Sequence, residues 1–302
     1  MKIALTDSGF GGLGIAAKLY EYLDNIFPAE PVEIIYVNGL PHEYYGYNSI
    51  PKIQDKVNTF GSLLQNIENR LQPDFIVITC NTLSVLFDKT DIYKSIVSKT
   101  IDILKFGTIT VLERYQAKSD ILLAITGSET TISSGIHVEF FRNYPAFFKT
   151  VLPIANTELI TAIEDDSTSE FTKYLVYKCI RQMTDELQRA DYSAAALILA
   201  CTHFPYVEHL FRNAFNHLSV KTDIINPNLD LLEYLKSLIP VSEEKTQHPK
   251  SIQIISKTAV EPTRMRSISS LIKEISNDTI TALHNYRYIP DFYDVDSIIF
   301  KQ

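Results

Sequence analysis

Two cysteines in matching sequence contexts are the side chains of this chain best suited to chemistry. Cys80 follows the apolar run Phe75–Thr79, Cys201 follows Leu197–Ala200, and both are followed by polar residues. Short, almost continuous apolar runs predict buried strands of a parallel sheet, and ligands bind at the carboxyl ends of such strands. A thiol at that position lies close to the amino end of the next helix, which favours the thiolate. Two such thiols could accept and donate protons.

A cysteine considered alone is more often a core residue than a reactive group, because free cysteine is among the most buried residue types. The repetition of the whole context around Cys80 and Cys201 argues against that interpretation for this pair. Cys179 lies instead inside the helical pattern Phe171–Gln188, for which core packing is the expectation.

Asp7 and His203 are the ionisable residues that the sequence places closest to these strand ends. Asp7 follows the apolar run Ile3–Thr6, and His203 lies two residues beyond Cys201. Either side chain could stabilise a thiolate or relay its proton. A Cys–His hydrolase would leave the second cysteine unexplained, and a zinc site would need a second pair of suitably spaced ligands.

The glycine-rich segment Gly9–Gly14 satisfies the spacing of a dinucleotide-binding turn. That fingerprint needs an acidic residue near the end of the second strand, where this chain has Val37-Asn38-Gly39. Asp7, at the start of the turn, would also repel a pyrophosphate. Nicotinamide binding is therefore the weaker interpretation.

The elements that would position these residues alternate between short strands and amphipathic helices. The strand-like runs are Ile3–Thr6, Val32–Val37, Phe75–Thr79, Ile121–Thr126, Leu197–Ala200 and Ile252–Ile255, and the main helical patterns are Leu13–Leu23, Ile53–Leu71 and Glu170–Gln188. This alternation predicts an α/β protein with mostly parallel sheets covered by helices on both faces.

An internal repeat divides the chain into two similar halves. Asp7 precedes Cys80 by 73 residues, and Gly127, after the strand-like run Ile121–Thr126, precedes Cys201 by 74. Two similar halves that face each other would bring both cysteines to one cleft. We predict a first α/β domain formed by residues 1–98 and 209–302, and a second formed by residues 99–208.

Composition narrows the class of function. The 302-residue chain has a net charge of −8 and no basic stripe, so a nucleic-acid partner is not expected. Its longest apolar stretches, such as Ala194–Cys201, are too short to span a membrane, and its first residues lack the apolar region of a signal peptide. Three cysteines, an odd number, indicate free thiols in a reducing compartment. We therefore predict a cytoplasmic protein.

Five segments resemble motifs of glutamate racemases, within the aspartate/glutamate racemase family. They are Asp7-Ser8-Gly9-Phe10-Gly11-Gly12-Leu13 (D-S-G-x-G-G-L), Tyr45-Gly46 with Ser49 (part of P-Y-G-x-K-S), Cys80-Asn81-Thr82 (C-N-T), Gly127–Gly135 (G-T-x-A-T-x-x-S-G) and Cys201-Thr202-His203-Phe204-Pro205 (C-T-H-[FY]-P). These segments follow the family's order between about residues 3 and 235.

The resemblance implies a protein with two pseudo-symmetric three-layer α/β domains, an active site in the cleft between them, and no cofactor or metal. It implies an isomerase that interconverts L- and D-glutamate, supplies D-glutamate for peptidoglycan in the cell wall, and forms a homodimer. Cys80 and Cys201 match the two proton-transferring residues, and Asp7 and His203 match the groups beside them. The positions that match substrate-holding residues are Ser8, Tyr45, Gly46, Asn81, Thr82, Thr131 and Thr202.

Two departures from the family pattern leave the substrate and the activity open. Where the family has D-T-A-R-x-P-Y-G, the segment Gly39–Gly46 lacks both the acid and the arginine. Aligning Leu152–Asn156 with the family's V-P-L-V-E puts Asn156 in place of the glutamate associated with the second cysteine, unless Glu158 fills that role from a shifted position. Aspartate or another acidic amino acid is an alternative substrate, and a catalytically impaired ligand-binding or regulatory homologue is an alternative function.

Overall fold

The computed structural model describes residues 1–116, 118–244 and 246–299. The chain forms two compact units, each built on its own parallel sheet. The first unit comprises Met1–Ile103 and the residues from Leu231 onward, and the second comprises Leu104–Asp230.

The first unit contains a six-stranded sheet in the order β10-β9-β2-β1-β3-β4, in which every described strand pair is parallel. Its strands are β1 (Lys2–Asp7), β2 (Val32–Asn38), β3 (Phe75–Ile78), β4 (Thr100–Asp102), β9 (Lys250–Ser256) and β10 (Arg287–Tyr288). Its helices are α1 (Leu13–Tyr22), α2 (Ile53–Leu71), α3 (Asn81–Phe87), α4 (Tyr93–Ile96), α12 (Pro262–Ile272), α13 (Asn277–His284) and α14 (Asp296–Ile299).

The second unit contains a four-stranded parallel sheet in the order β6-β5-β7-β8. Its strands are β5 (Ile121–Gly127), β6 (Phe148–Ala155), β7 (Ala194–Ala200) and β8 (Asp223–Ile225). Its helices are α5 (Leu104–Tyr115), α6 (Glu129–Ser133), α7 (Ile136–Arg142), α8 (Thr157–Asp166), α9 (Glu170–Leu187) and α10 (Glu208–His217), while α11 (Pro227–Ser237) continues into the first unit.

The strands and main helices that the sequence pattern predicts form at the predicted positions. Every residue of β5 is buried, as expected of a central strand covered on both faces. Helix α2 instead buries one stripe, which includes Val57, Phe60, Leu64 and Ile67. The predicted α/β class with mostly parallel sheets is confirmed.

The limits of the two units differ from the predicted boundaries at residues 98/99 and 208/209. Strand β4 pairs with β3, which keeps it in the first unit. Strand β8 pairs with β7, so it belongs to the second unit together with α10. Both strands are only three residues long, which is too short for a recognisable period in the sequence.

The carboxy-terminal part of the chain, which no motif covers, completes the first unit. Strand β9 pairs with β2 along its whole length, from Val32 opposite Lys250 to Asn38 opposite Ser256.

Over the described ranges, no helix is both long and apolar enough to cross a membrane.

Candidate active site

The first predicted cysteine lies at the carboxyl edge of the larger sheet. Asp7 is the last residue of β1, and Cys80 follows the neighbouring strand β3, so parallel pairing brings the two residues to the same edge. The Ser8 hydroxyl lies 3.2 Å from the Cys80 sulfur, within hydrogen-bond distance. Thr79 donates a hydrogen bond to the Asp7 carboxylate at 3.3 Å. We call Asp7, Ser8, Cys80, Asn81 and Thr82 the first half-site.

Cys80 is held as a thiol at neutral pH. Burial raises the pKa of Cys80, and the nearby Asp7 carboxylate raises it further, while hydrogen bonds from Ser8 oppose the change only in part. The side chain is 4% exposed. In the ligand-free protein this cysteine is therefore suited to donate a proton.

Asn81 and Thr82 form the start of α3, directly after Cys80. Both residues are buried, and the Asn81 side-chain amide nitrogen has no hydrogen-bond partner among the described atoms. A buried donor without a partner is costly, so a bound acceptor such as a carboxylate oxygen would stabilise it.

The predicted Tyr45-Gly46 pair lies beside two further tyrosines that motif comparison missed. The Tyr45 ring stacks on His42 with centroids 4.6 Å apart, and its hydroxyl has no partner within the described part of the chain. Burial raises the pKa of Tyr47, and the nearby Cys80 raises it further. The Tyr293 hydroxyl donates to the Gly39 carbonyl at 2.9 Å and lies next to Tyr47. The carboxy-terminal segment thus contributes a buried tyrosine close to the first half-site.

The second predicted cysteine lies at the carboxyl edge of the smaller sheet and belongs to a relay of three side chains. Cys201 follows β7, and its sulfur lies 3.9 Å from Nδ1 of His203. Nε2 of His203 lies 2.7 Å from a carboxylate oxygen of Glu164, on α8. The His203 and Glu164 side chains are 4% and 6% exposed. We call Cys201, Thr202, His203 and Glu164 the second half-site.

His203 is held in its protonated form at neutral pH. Burial by itself lowers the pKa of His203, but the Glu164 carboxylate and the Cys201 sulfur raise it more, to about 10. The protonated His203 therefore places a positive charge next to the Cys201 sulfur. The two cysteines thus have opposite charges beside them: a carboxylate near Cys80 and an imidazolium near Cys201.

Glu164 supplies a carboxylate that the sequence analysis did not assign to this site. Asn156, predicted to replace the family's glutamate, directs its amide nitrogen to the Leu175 carbonyl at 3.5 Å. Glu158 is exposed and lines a separate cavity of about 180 Å³. The acid on His203 is Glu164, so the second half-site keeps a carboxylate.

The remaining predicted residues of the second unit lie near the ends of β5 and β7, which are neighbouring strands. The Ser128 hydroxyl caps α6 by accepting from the Thr131 backbone N–H at 3.2 Å, which fixes Thr131 in the first turn. Thr202 is buried, and its carbonyl accepts a hydrogen bond from Asn228 at 3.2 Å.

Cys179 is buried on α9, and its thiol is hydrogen-bonded to the Thr126 hydroxyl, which confirms its expected core packing. The roles assigned to the individual site residues stay predictions.

Comparisons with known proteins agree with the resemblance that the motifs indicate. No protein-family model matches the chain. The glutamate racemase of Limosilactobacillus reuteri (strain DSM 20016) is 24% identical over 238 residues, covering 78% of this chain and 80% of the relative. Glutamate racemase 3 of Caldanaerobacter subterraneus is 26% identical over 238 residues, covering 77% and 78%.

Solved structures give the same result for the fold. The glutamate racemase of Francisella tularensis, in complex with D-glutamate, superposes with a TM-score of 0.68 at 18% identity, covering 90% of this chain and 93% of that one. A glutamate racemase isoform of Bacillus anthracis gives 0.67 at 17% identity, covering 95% and 94%. The predicted resemblance to glutamate racemases is confirmed.

Proposed function

We propose that this chain is a cofactor-independent amino-acid racemase that interconverts L- and D-glutamate by proton transfer at two cysteines. The observation that carries the proposal is the contrast between the surroundings of the two cysteines. Cys80 is held as a thiol, whereas Cys201 lies 3.9 Å from an imidazole that Glu164 keeps protonated. A two-base racemase needs one thiolate and one thiol at the same moment.

The reaction follows from these two states. The Cys201 thiolate takes the α-proton of one enantiomer and becomes a thiol, which leaves a planar carbanion. The Cys80 thiol then gives its proton to the opposite face of the same carbon and becomes a thiolate. The product is the other enantiomer, and the cysteines have exchanged protonation states, which is the starting condition for the reverse direction. The pair is reset when the Cys201 thiol gives its proton to solvent and the Cys80 thiolate takes one from solvent, or when the reverse reaction runs.

Hydrogen-bond donors around the substrate carboxylate would stabilise the carbanion. The unpartnered amide of Asn81, the buried Thr82 and the Ser8 hydroxyl are suited to this role in the first half-site. Thr131 and Thr202 are the corresponding residues of the second unit. Donors aimed at developing negative charge are usually the largest single contribution to catalysis.

Glutamate is the proposed substrate because the relatives are named glutamate racemases, and one solved relative holds D-glutamate. The same resemblance supports a supply of D-glutamate for peptidoglycan, an isomerase that works in the cytoplasm, and a homodimer. The three cysteines are free thiols, in keeping with a reducing compartment.

The test is proton NMR of L-glutamate, and separately L-aspartate, incubated with the protein in deuterated water. Wild type should exchange the α-proton of glutamate for deuterium and form the D-isomer, and Cys80→Ser and Cys201→Ser should each abolish racemisation. Cys179→Ser is the matched control, because Cys179 is a buried core residue on α9. This variant should retain activity.

Three outcomes would contradict the proposal in distinct ways. Exchange with aspartate alone would change the substrate. Binding of glutamate without exchange would indicate a ligand-binding homologue. Activity that survives either site mutation would refute the two-cysteine mechanism.

A further inference from the structure

The segment between β2 and α2 carries Tyr45 and Gly46, two of the predicted substrate-holding residues. It lies outside the regular strands of the sheet, and Tyr44 in its middle is 86% exposed. A segment with such an exposed middle depends for its order on the contacts that hold its ends. We call residues 39–50 the substrate loop.

The first residues of the substrate loop are held by buried hydrogen bonds. The Gly39 N–H donates to the Asp7 carbonyl at 2.7 Å, and the Leu40 N–H donates to the Asn38 side-chain oxygen at 3.1 Å. The Asn38 amide in turn donates to the Ser256 hydroxyl, at the end of β9, at 3.0 Å. The position of β9 is thus transmitted to the start of the loop through one side chain.

Tyr293 makes a further contact with the same loop. Its hydroxyl donates to the Gly39 carbonyl at 2.9 Å, and it lies next to Tyr47, near the other end of the loop. The exposed fractions of Tyr293 and Tyr47 are only 2% and 1%. A single side chain from the carboxy-terminal part therefore lies beside both ends of the substrate loop.

The segment that carries Tyr293 is itself fixed to the first unit. The Ile289 N–H donates to the Ser256 carbonyl at 2.9 Å, and Arg70 on α2 donates to the Asp291 carbonyl at 2.8 Å. Phe292 is 1% exposed and lies under the Arg70 guanidinium, 5.4 Å from the ring centroid. Because these contacts do not involve the substrate loop, Tyr293 has a fixed position from which it can hold that loop.

We propose that Tyr293 and Ser256 are positioning residues that hold the substrate loop in its binding conformation before the substrate arrives. This inference rests on the proposed racemase function, since it concerns how Tyr45 and Gly46 are presented to glutamate. A loop that is ordered in advance loses little conformational freedom on binding. If only a fraction of the molecules has the loop in place, the apparent affinity falls by that fraction.

The first test measures the loop itself, by hydrogen–deuterium exchange of the ligand-free full chain with mass-spectrometric detection. Tyr293→Phe removes one hydroxyl and keeps the ring, so amides of the substrate loop should exchange at least about fivefold faster than in wild type. Tyr115→Phe is the matched control, because Tyr115 is also fully buried and its hydroxyl donates to Asp223 in the second unit. It should leave exchange of the loop unchanged.

The second test separates binding from chemistry. Tyr293→Phe should raise KM for glutamate roughly tenfold and keep kcat within about threefold of wild type, because the two cysteines are unchanged. Ser256→Ala, which removes the acceptor of the Asn38 amide, should change KM in the same direction. Tyr115→Phe should have the KM of wild type.

Unchanged exchange of the substrate loop in Tyr293→Phe would overturn the inference, as would a loss confined to kcat or an equal rise of KM in Tyr115→Phe. A wild type that does not racemise glutamate would refute the proposed function instead. The exchange measurement needs no substrate, so it still decides whether Tyr293 holds the loop.

Discussion

Replacing Glu164 with glutamine tests the electrostatic basis of the second half-site. The substitution preserves the size of the side chain and removes the charge that lies 2.7 Å from Nε2 of His203. His203 then keeps the burial that lowers its pKa and loses the carboxylate that raises it. We expect the imidazole to become neutral at pH 7.

The size of the effect follows from the pKa of His203. A fall from about 10 to the ordinary value of 6.5 or below corresponds to ~5 kcal/mol of lost interaction between the imidazolium and its surroundings. Because the pKa is raised on folding, His203 stabilises wild type fully below about pH 6.5, and this contribution is lost as the pH rises towards 10. Glu164→Gln should lack that pH dependence.

The assay is an NMR titration of histidine-labelled protein, with the His203 signal assigned from a His203→Asn variant. Wild type should titrate near pH 10 and Glu164→Gln at or below 6.5, while Glu158→Gln, on the same helix, should leave His203 unchanged. Loss of the imidazolium should lower kcat/KM by roughly 10²-fold. The loss should be equal in both directions, because two enantiomers have the same free energy. A His203 that titrates near 6.5 in wild type, or stays near 10 in Glu164→Gln, would refute the electrostatic argument.

Two further predictions concern the packing around the sheets. Gly12→Ala would place a Cβ 2.0 Å from the Thr79 hydroxyl and 3.1 Å from the Asp7 carboxylate, so it should destabilise the fold by about 1–3 kcal/mol and lower the activity. In Gly61→Ala, in α2, the added Cβ meets no described atom closer than 3.7 Å, so this change should stabilise the fold by about 0.5–1 kcal/mol. Urea unfolding measures both effects, and equal effects would contradict the steric argument. Burial lowers the pKa of His137 to about 4, so stability should fall by up to ~3 kcal/mol as the pH drops from 6.5 to 4. Unfolding at several pH values should show this loss in wild type and its absence in His137→Gln, and an unchanged acid transition in the variant would contradict it.

The sequence predicted the fold because its central strands are buried on both faces. Runs such as Phe75–Ile78 and Ile121–Gly127 must then be almost continuously apolar, which is a strong local signal. The same argument predicted that Asp7 and Cys80 share one edge, since β1 and β3 are parallel neighbours.

Glu164 shows where sequence reasoning reached its limit. Its position on α8 gives no sign that its carboxylate is buried against His203, 39 residues later in the chain. That contact depends on how α8 packs against the segment that follows Cys201, which no local periodicity encodes.

Tyr293 was missed for a related reason. The region after β9 contains amphipathic helices and a two-residue strand. No local pattern there indicates that Tyr293 contacts Gly39, directly after β2. The pairing of β9 with β2 determines that return.

That pairing also has a consequence for the order of events during synthesis. Strand β2 has β1 on one side and β9 on the other, and Asn38 and Ser256 are separated by 218 residues. At about 5–20 residues per second, the ribosome needs roughly 10–45 s to make that stretch. During this interval β2 presents an unpaired apolar edge, and all strands of the second unit are completed before β9 is made. The nascent chain therefore carries this exposed strand edge, a template for pairing with another chain, until β9 is made.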